Sequence, residues 1–231
     1  MYDSHIKIIK YKNAYKKPDQ SKRIGKKKKK SKEDYFESAI QRTKTAITDY
    51  SLSNNFNYFC TLTLDPKKID RYDYDVIVPQ ITKFLRKNIS RYLLVPEKHK
   101  DGAFHFHLLA DIPTNALTHT FGNNWSLNSY TLGYSNARPI KKSGLDNLRV
   151  SYYIQKYITK QLIQAVPKGR KRYWVSRGLC LPTKFYNQPM PKGSTLVHDS
   201  EMYQIHHVFL DKDLKLAYNA NTQSKLFEGN V

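Results

Sequence analysis

The segment Ala103–Ala110 constrains the fold most, because it is apolar along most of its length and carries two histidines in alternation with phenylalanine. Apolar, β-prone residues of this kind predict a strand. Side chains alternate between the faces of a strand, so His105 and His107 point to one face and Phe104 and Phe106 to the other. Two imidazoles on one face can bind a divalent metal ion. The pair alone leaves open whether it binds metal or is simply polar on a solvated face.

The sequence around this segment predicts alternating strands and helices. Short apolar runs bounded by turn residues predict strands, and apolar residues at intervals of three and four predict helices. The order strand, helix, strand, strand, helix, strand from residue 58 onward favours an α+β sandwich, in which helices pack on an antiparallel central sheet. We expect strands at 58–64, 92–96, 103–110, 134–140 and 203–210, and helices at 33–50, 76–88, 113–124 and 145–164.

The charge of the chain predicts a polyanionic partner. Its 231 residues include 40 Lys and Arg against 19 Asp and Glu, a net charge of +21. Nucleic acid is the first candidate, because the release of counterions rewards many phosphate contacts. An anionic membrane is the weaker candidate, since we find no strongly basic amphipathic helix and no apolar run of membrane-spanning length. The 18 tyrosines suit stacking on unpaired bases.

Composition also divides the chain into segments. Residues 1–32 hold 13 of the basic residues, including the run Lys26–Lys30. Such a block repels itself, so we predict a disordered arm that either contacts nucleic acid or only keeps the chain soluble. We expect the main domain at 33–195 and a C-terminal extension at 196–231, which adds one strand. Two distant cysteines in no motif exclude a disulfide framework and favour a reducing cytoplasm.

A second motif lies in the predicted helix at 145–164. Tyr153 and Tyr157 are four residues apart and fall on one helix face, and Lys156 and Lys160 follow them with the same spacing. A tyrosine phenolate can attack a phosphodiester and retain the cleaved end as a phosphotyrosine. Because a free tyrosine ionises only near a pKa of about 10, a metal ion at the phosphate and a nearby lysine would assist it. An amphipathic helix with partly buried tyrosines is the alternative interpretation.

Three segments together carry a family resemblance. Phe59–Asp65 resembles a strand motif of the Phe-Thr-Leu-Thr kind, His105–Leu109 a metal motif, and Tyr153–Lys160 a nucleophile motif. In this order they resemble the replication initiators of the His-hydrophobic-His endonuclease superfamily, the rolling-circle Rep proteins of small phages, plasmids and single-stranded DNA viruses. The resemblance covers about residues 56–180.

The resemblance implies an RRM-like endonuclease fold and a DNA nickase and strand-transferase that starts rolling-circle replication. The doubled tyrosine is similar to the two-tyrosine, microvirus-type class, in which Tyr153 and Tyr157 would alternate as nucleophiles. Lys156 and Lys160 would orient the phosphate or tune the tyrosines. The sequence leaves open whether both tyrosines act.

The resemblance also implies a metal site on the histidine strand. His105 and His107 would bind the ion, and family members often take a third ligand from the adjacent strand. We expect Glu97 in this role, with His99 a weaker candidate and Asp65 a turn residue before a proline. Two imidazoles and a carboxylate suit Mg²⁺ or Mn²⁺ with open positions for phosphate oxygens.

A basic and aromatic segment follows the nucleophile motif and could bind DNA through stacking and phosphate contacts. The alternative is a surface strand with its tryptophan in the core. We expect single-stranded or hairpin origin DNA as the partner, with a host polymerase and, because the chain has no Walker-type loop, a host helicase in the bacterial cytoplasm. A transposase or relaxase shares this chemistry, whereas a non-catalytic RRM-like RNA-binding module would carry aromatics on its sheet face. The segment comprises Arg170, Lys171, Arg172, Tyr173, Trp174 and Arg177.

Overall fold

The computed structural model describes residues 5–11, 31–141, 144–182, 194–199 and 203–209. The helices in these ranges are α1 (Lys32–Leu52), α2 (Tyr74–Asn88), α3 (Gly144–Gln155) and α4 (Lys160–Ala165). The strands are β1 (His5–Tyr11), β2 (Tyr58–Leu64), β3 (Tyr92–Lys98), β4 (Phe104–Ala110), β5 (Leu117–Phe121), β6 (Asn124–Leu127), β7 (Gly133–Pro139), β8 (Trp174–Val175), β9 (Thr195–Asp199) and β10 (Tyr203–Phe209).

Seven strands form one antiparallel sheet in the order β5-β6-β7-β2-β4-β3-β8. The histidine strand β4 lies near its centre, hydrogen-bonded to β2 on one side and to β3 on the other. Helices pack on this sheet, so the predicted α+β class with an antiparallel sheet is confirmed. None of the helices within the described ranges is long and apolar enough to cross a membrane.

The two faces of the sheet are covered by different helices. Phe104 and Phe106 lie on the face under α2, where the ring of Tyr74 packs 5.1 Å from that of Phe104. The apolar face of α2 fully buries Ile77 and Ile81 there. The opposite face carries the histidines and packs against α1, α3 and α4. Alternation along β4 therefore directs the phenylalanines into one core layer and the histidines towards the other.

The prediction of a helix at 113–124 is wrong. A short 3-10 turn at Thr114–Ala116 is followed by the hairpin of β5 and β6. The hairpin turns at Gly122, whose φ of 56° is a left-handed conformation that glycine adopts without strain. Threonine and aromatic residues favour strands, and a partner strand two residues away satisfies their backbone groups.

The predicted long helix at 145–164 is interrupted. α3 ends at Gln155 and α4 begins at Lys160, with Thr159 capping α4 by accepting a hydrogen bond from the backbone of Leu162. A threonine cap satisfies an otherwise unpaired amide and competes with continued helix. The interruption places Tyr157 outside helical structure.

A second sheet contains β1, β10 and β9 in that order, all antiparallel. The segment 1–32 was predicted to be disordered, but β1 pairs with β10 along seven residues. Its β-branched isoleucines and the partner strand account for this. Residues 12–30, with the lysine run, lie outside the described residues, and the predicted domain boundaries stay a prediction. The strand expected at 203–210 is observed as β10.

Candidate active site

The two histidines of β4 lie on one face of the sheet, as the alternation predicts. His107 is buried and His105 half-buried. Glu97 of β3 lies directly across from His105. Its Oε2 accepts a hydrogen bond of 2.8 Å from Nε2 of His107. The three side chains predicted to bind metal are therefore neighbours at one end of the β3–β4 hairpin.

Two threonines of the first-motif strand hold the other side of these rings. Thr61 lies across from His107 and Thr63 across from His105. The threonine hydroxyls lie 3.4 Å from the Nδ1 atoms of these imidazoles. A hydroxyl can donate or accept, so it supports either tautomer and leaves Nε2 for a ligand. The sequence analysis did not assign these threonines, although alternation along β2 places them on one face.

Burial and charge shift the titration of this cluster. Burial lowers the pKa of His107 and outweighs the hydrogen bond to Glu97, which acts in the opposite direction. Burial also lowers the pKa of His105, and the neighbouring His99 adds to this. For Glu97, burial acts to raise the pKa, but the hydrogen bond and charge of His107 hold it below its ordinary value. The cluster therefore favours neutral imidazoles beside an ionised carboxylate.

The two tyrosines of the nucleophile motif lie over this cluster. The ring of Tyr157 stacks on the imidazole of His107, with 3.5 Å between ring centroids and 10° between ring planes. Tyr153 meets Tyr157 edge to face at 5.5 Å and Phe59 at 5.4 Å. Phe59 also stacks on His107 at 5.7 Å. Because α3 ends between the tyrosines, Tyr157 turns onto the histidine and stays in contact with Tyr153.

The two tyrosines differ in environment. Only 7% of Tyr157 is exposed, whereas Tyr153 is half-buried. Burial raises the pKa of Tyr157, and the hydrogen bond and charge of Tyr153 and the charge of Glu97 raise it further. The phenolate form of Tyr157 is therefore strongly disfavoured in this arrangement.

The two lysines of the motif are placed differently. The ammonium of Lys156 lies 3.6 Å from the ring centroid of Tyr153 and 5.2 Å from that of Tyr157. The ammonium of Lys160 instead lies 2.6 Å from a carboxylate oxygen of Glu33 on α1. Lys156 is therefore placed to stabilise charge on a tyrosine, whereas Lys160 joins α4 to α1.

His99 and Asp65, the other candidate ligands, have distinct positions. His99 lies in the turn after β3, and its ring stacks on that of His105 at 4.2 Å. Asp65 accepts a hydrogen bond of 2.9 Å from the backbone of Lys67. The expected turn role of Asp65 is thus observed, and His99 is closer to the cluster than a loop position implied.

The aromatic part of the segment 170–177 packs inwards. Trp174 lies in β8, across from Leu94 of β3, with its ring 6.0 Å from that of Tyr74. Tyr173 and Trp174 are half-buried against the core. These positions agree with the alternative of a surface strand whose tryptophan faces the core.

The cationic part of the segment is only partly available. Arg170 pairs with Asp75 at 2.8 Å, while Lys171 and Arg177 are exposed. Arg172 is half-buried, and its Nε has no hydrogen-bond partner in the part of the chain that the structure describes. A role of this segment in DNA binding stays a prediction.

The predicted metal site is not confirmed. Within the described ranges, no three or more His, Cys, Asp or Glu side chains are arranged to hold a metal ion. The donor types nevertheless fit one, since imidazole and carboxylate both bind Mn²⁺ and carboxylate suits Mg²⁺. Nε2 of His107 and Oε2 of Glu97 are 2.8 Å apart, close to the ~3 Å between adjacent ligands of an octahedral ion with bonds of about 2.1 Å.

The comparisons with known proteins agree with this arrangement. A family model for the replication-associated protein ORF2 matches residues 57–162, somewhat less than half of the chain. The matched range contains β2 to β7, the histidines and both tyrosines. The match supports a replication initiator, a class of protein that binds DNA. A comparison with curated proteins found no match, and a comparison with solved structures found none either.

Proposed function

We propose that this chain is a rolling-circle replication initiator of the His-hydrophobic-His, two-tyrosine type. It nicks single-stranded origin DNA by tyrosine attack and keeps the 5′ end as a phosphotyrosine. The observation that carries the proposal is the stack of Tyr157 on His107, whose imidazole is hydrogen-bonded to Glu97. A nucleophile and a ligand set for an electrophilic ion thus share one sheet face.

The reaction is an exchange of phosphodiester bonds. The phenol oxygen of a tyrosine attacks the scissile phosphorus, an O–P bond forms, and the bond from phosphorus to the 3′ oxygen breaks. The phenol proton ends on the 3′ hydroxyl, so no co-reactant is consumed. A host polymerase can extend this hydroxyl. After one round, the second tyrosine attacks the regenerated site and the first is released, which transfers the strand.

Four side chains support the attack. Lys156 stabilises negative charge that develops on Tyr153 and on the phosphate. Glu97, His105 and His107 would hold Mg²⁺ or Mn²⁺, which would draw charge from the phosphate oxygens and make the phosphorus more electrophilic.

The different environments of the tyrosines set an order. Tyr153 is half-buried and lies beside the lysine ammonium, so it attacks first. Tyr157 must leave its stack on His107 before its hydroxyl reaches a phosphate. It therefore acts second, when the first tyrosine is already linked to DNA.

Covalent capture tests the proposal without knowledge of the origin. The full chain is incubated with random-sequence single-stranded DNA and Mg²⁺ or Mn²⁺, and DNA that stays attached after denaturation is sequenced. We expect an adduct that requires metal, selects one sequence and disappears when Tyr153 and Tyr157 are both replaced by Phe. Tyr152→Phe, the adjacent tyrosine of α3, is the matched control and keeps the adduct.

Two results would overturn the proposal. An adduct that survives the double replacement would show that neither tyrosine is the nucleophile. DNA or RNA binding with no adduct under any metal condition would favour a non-catalytic nucleic-acid-binding module. A transposase or relaxase shares the nicking step, so the captured site is also placed on a single-stranded template, where extension and circle release favour an initiator.

A further inference from the structure

An exposed tyrosine lies on the same sheet face as the histidine cluster. Tyr134 of β7 pairs with Thr63 of β2, which pairs with His105 of β4, which pairs with Glu97 of β3. Directly paired residues of neighbouring antiparallel strands share a face. Tyr134 is therefore two strands from His105, about 10 Å at a strand spacing of about 4.8 Å, and 59% of it is exposed.

The surroundings of Tyr134 suit a polyanion. Residues 112–145 contain no Asp or Glu. Arg138 lies four residues further along β7, on the same face, and its Nε donates a hydrogen bond to Asn124 of β6. Lys141 follows the strand and is exposed. This part of the face combines an exposed aromatic ring with positive charge and no carboxylate, which favours a DNA strand over a protein or a free aromatic ligand.

Asn136 adds hydrogen-bonding capacity between these residues. It lies across from Thr61, in the same row as His107. Its side-chain oxygen is buried and accepts no hydrogen bond among the described residues. Buried acceptors without a partner are rare, and a ligand that supplies the donor is one reason to retain them.

We propose that Tyr134 and Asn136 form a binding position for one unpaired DNA base beside the cleavage site. Tyr134 stacks on the face of the base, and Asn136 forms a hydrogen bond with its edge. Stacking fixes the strand on the sheet, and the edge contact distinguishes bases. The position rests on the proposed function, because the base belongs to the strand whose phosphate is cleaved.

Binding measurements test this position independently of cleavage. Fluorescence anisotropy measures the affinity of the full chain for a short labelled deoxythymidine oligonucleotide, in salt high enough to weaken phosphate contacts of the basic arm. Tyr134→Ala should weaken binding about 5- to 150-fold, the range expected for loss of one stacked base. Tyr134→Phe keeps the ring and should bind within about twofold of the wild type. Tyr35→Ala is the control, since Tyr35 of α1 is similarly exposed at 54%.

Abasic oligonucleotides and base preference locate the contact. Removal of one base at the critical position should weaken wild-type binding but have no further effect on Tyr134→Ala. Asn136→Ala should reduce the difference in affinity between thymidine, cytidine and adenosine oligomers. Unchanged affinity of Tyr134→Ala, or an abasic effect that persists in it, would overturn the base position. If Tyr134 and the abasic position are coupled but no adduct ever forms, the base position stands and the proposed nicking is wrong.

Discussion

The order in which the two tyrosines act can be tested by removing one hydroxyl at a time. Tyr153→Phe leaves only the tyrosine that stacks on His107, and Tyr157→Phe leaves only the half-buried one beside Lys156. Each replacement keeps the ring and its packing, so a change in rate reports on the nucleophile. We expect Tyr157→Phe to form the first adduct within about threefold of the wild-type rate.

The expected cost of Tyr153→Phe follows from the burial of Tyr157. A buried tyrosine hides at least about 150 Å² of surface, and Tyr157 is only 7% exposed. At about 25 cal/mol per Å², freeing half or all of this surface costs about 2 to 4 kcal/mol. A conformer that unfavourable is populated at about one part in 30 to one part in 800. Tyr153→Phe should therefore slow the first adduct by about 30- to 800-fold.

Single-turnover kinetics measure this difference. The enzyme is mixed in excess with a labelled oligonucleotide that carries the captured site, and the adduct is separated on a denaturing gel. Tyr152→Phe serves as the matched control and should react at the wild-type rate. Equal rates for Tyr153→Phe and the wild type would refute the order inferred from burial, as would a slow first adduct in Tyr157→Phe alone.

Three further outcomes follow from the structure. Lys156→Ala should slow adduct formation about 100-fold, whereas Lys160→Ala, which loses only an exposed ion pair worth under about 1 kcal/mol, should leave the rate unchanged in the same assay. Gly133→Ala should lower the free energy of unfolding by about 3 kcal/mol or more in urea titrations, because an added Cβ would lie 2.1 Å from a backbone carbonyl of β2. In chelated, metal-free buffer the thermal midpoint should fall as the pH drops through about 6.5. Burial, against the hydrogen bond to Glu97, lowers the pKa of His107 in the folded chain, so the unfolded chain binds more protons there. His107→Gln should reduce this fall, and an unchanged pH dependence in that variant would contradict it.

The central strands could be predicted from sequence because their patterns are strong. β2 has the predicted bounds, and alternation along β4 places both histidines on one face. The approach of Glu97 to this pair followed from the hairpin. These features depend on local periodicity and on a short connection, which a sequence displays directly.

Other parts of the fold depend on information that periodicity lacks. The polar stretch that forms β5 and β6 has no strong apolar period, so its turn at Gly122 and its pairing with β7 decide its structure. The end of α3 depends on a competition between helix and the Thr159 cap. Tertiary pairing therefore overrides local preference at both places.

The site was predicted in composition but not in arrangement. Helical spacing placed both tyrosines on one face, but the stack of Tyr157 on His107 depends on the break after α3. Equal spacing also gave Lys156 and Lys160 equal roles, although Lys160 contacts Glu33 of a helix distant in sequence. The position of Tyr134 required the register of β7 on β2, which no local pattern contains.

Mass spectrometry of the adduct tests the central claim most directly. Trypsin cleaves after Arg149, Lys156 and Lys160, so Tyr153 and Tyr157 fall on separate peptides, 150–156 and 157–160. After nuclease digestion of the attached DNA, we predict a nucleotide bound through a 5′ phosphate to Tyr153 in the first turnover, with fragmentation that excludes Tyr152. Cleaved DNA with both peptides unmodified would contradict the account, because the phosphodiester would then have been broken without a tyrosine.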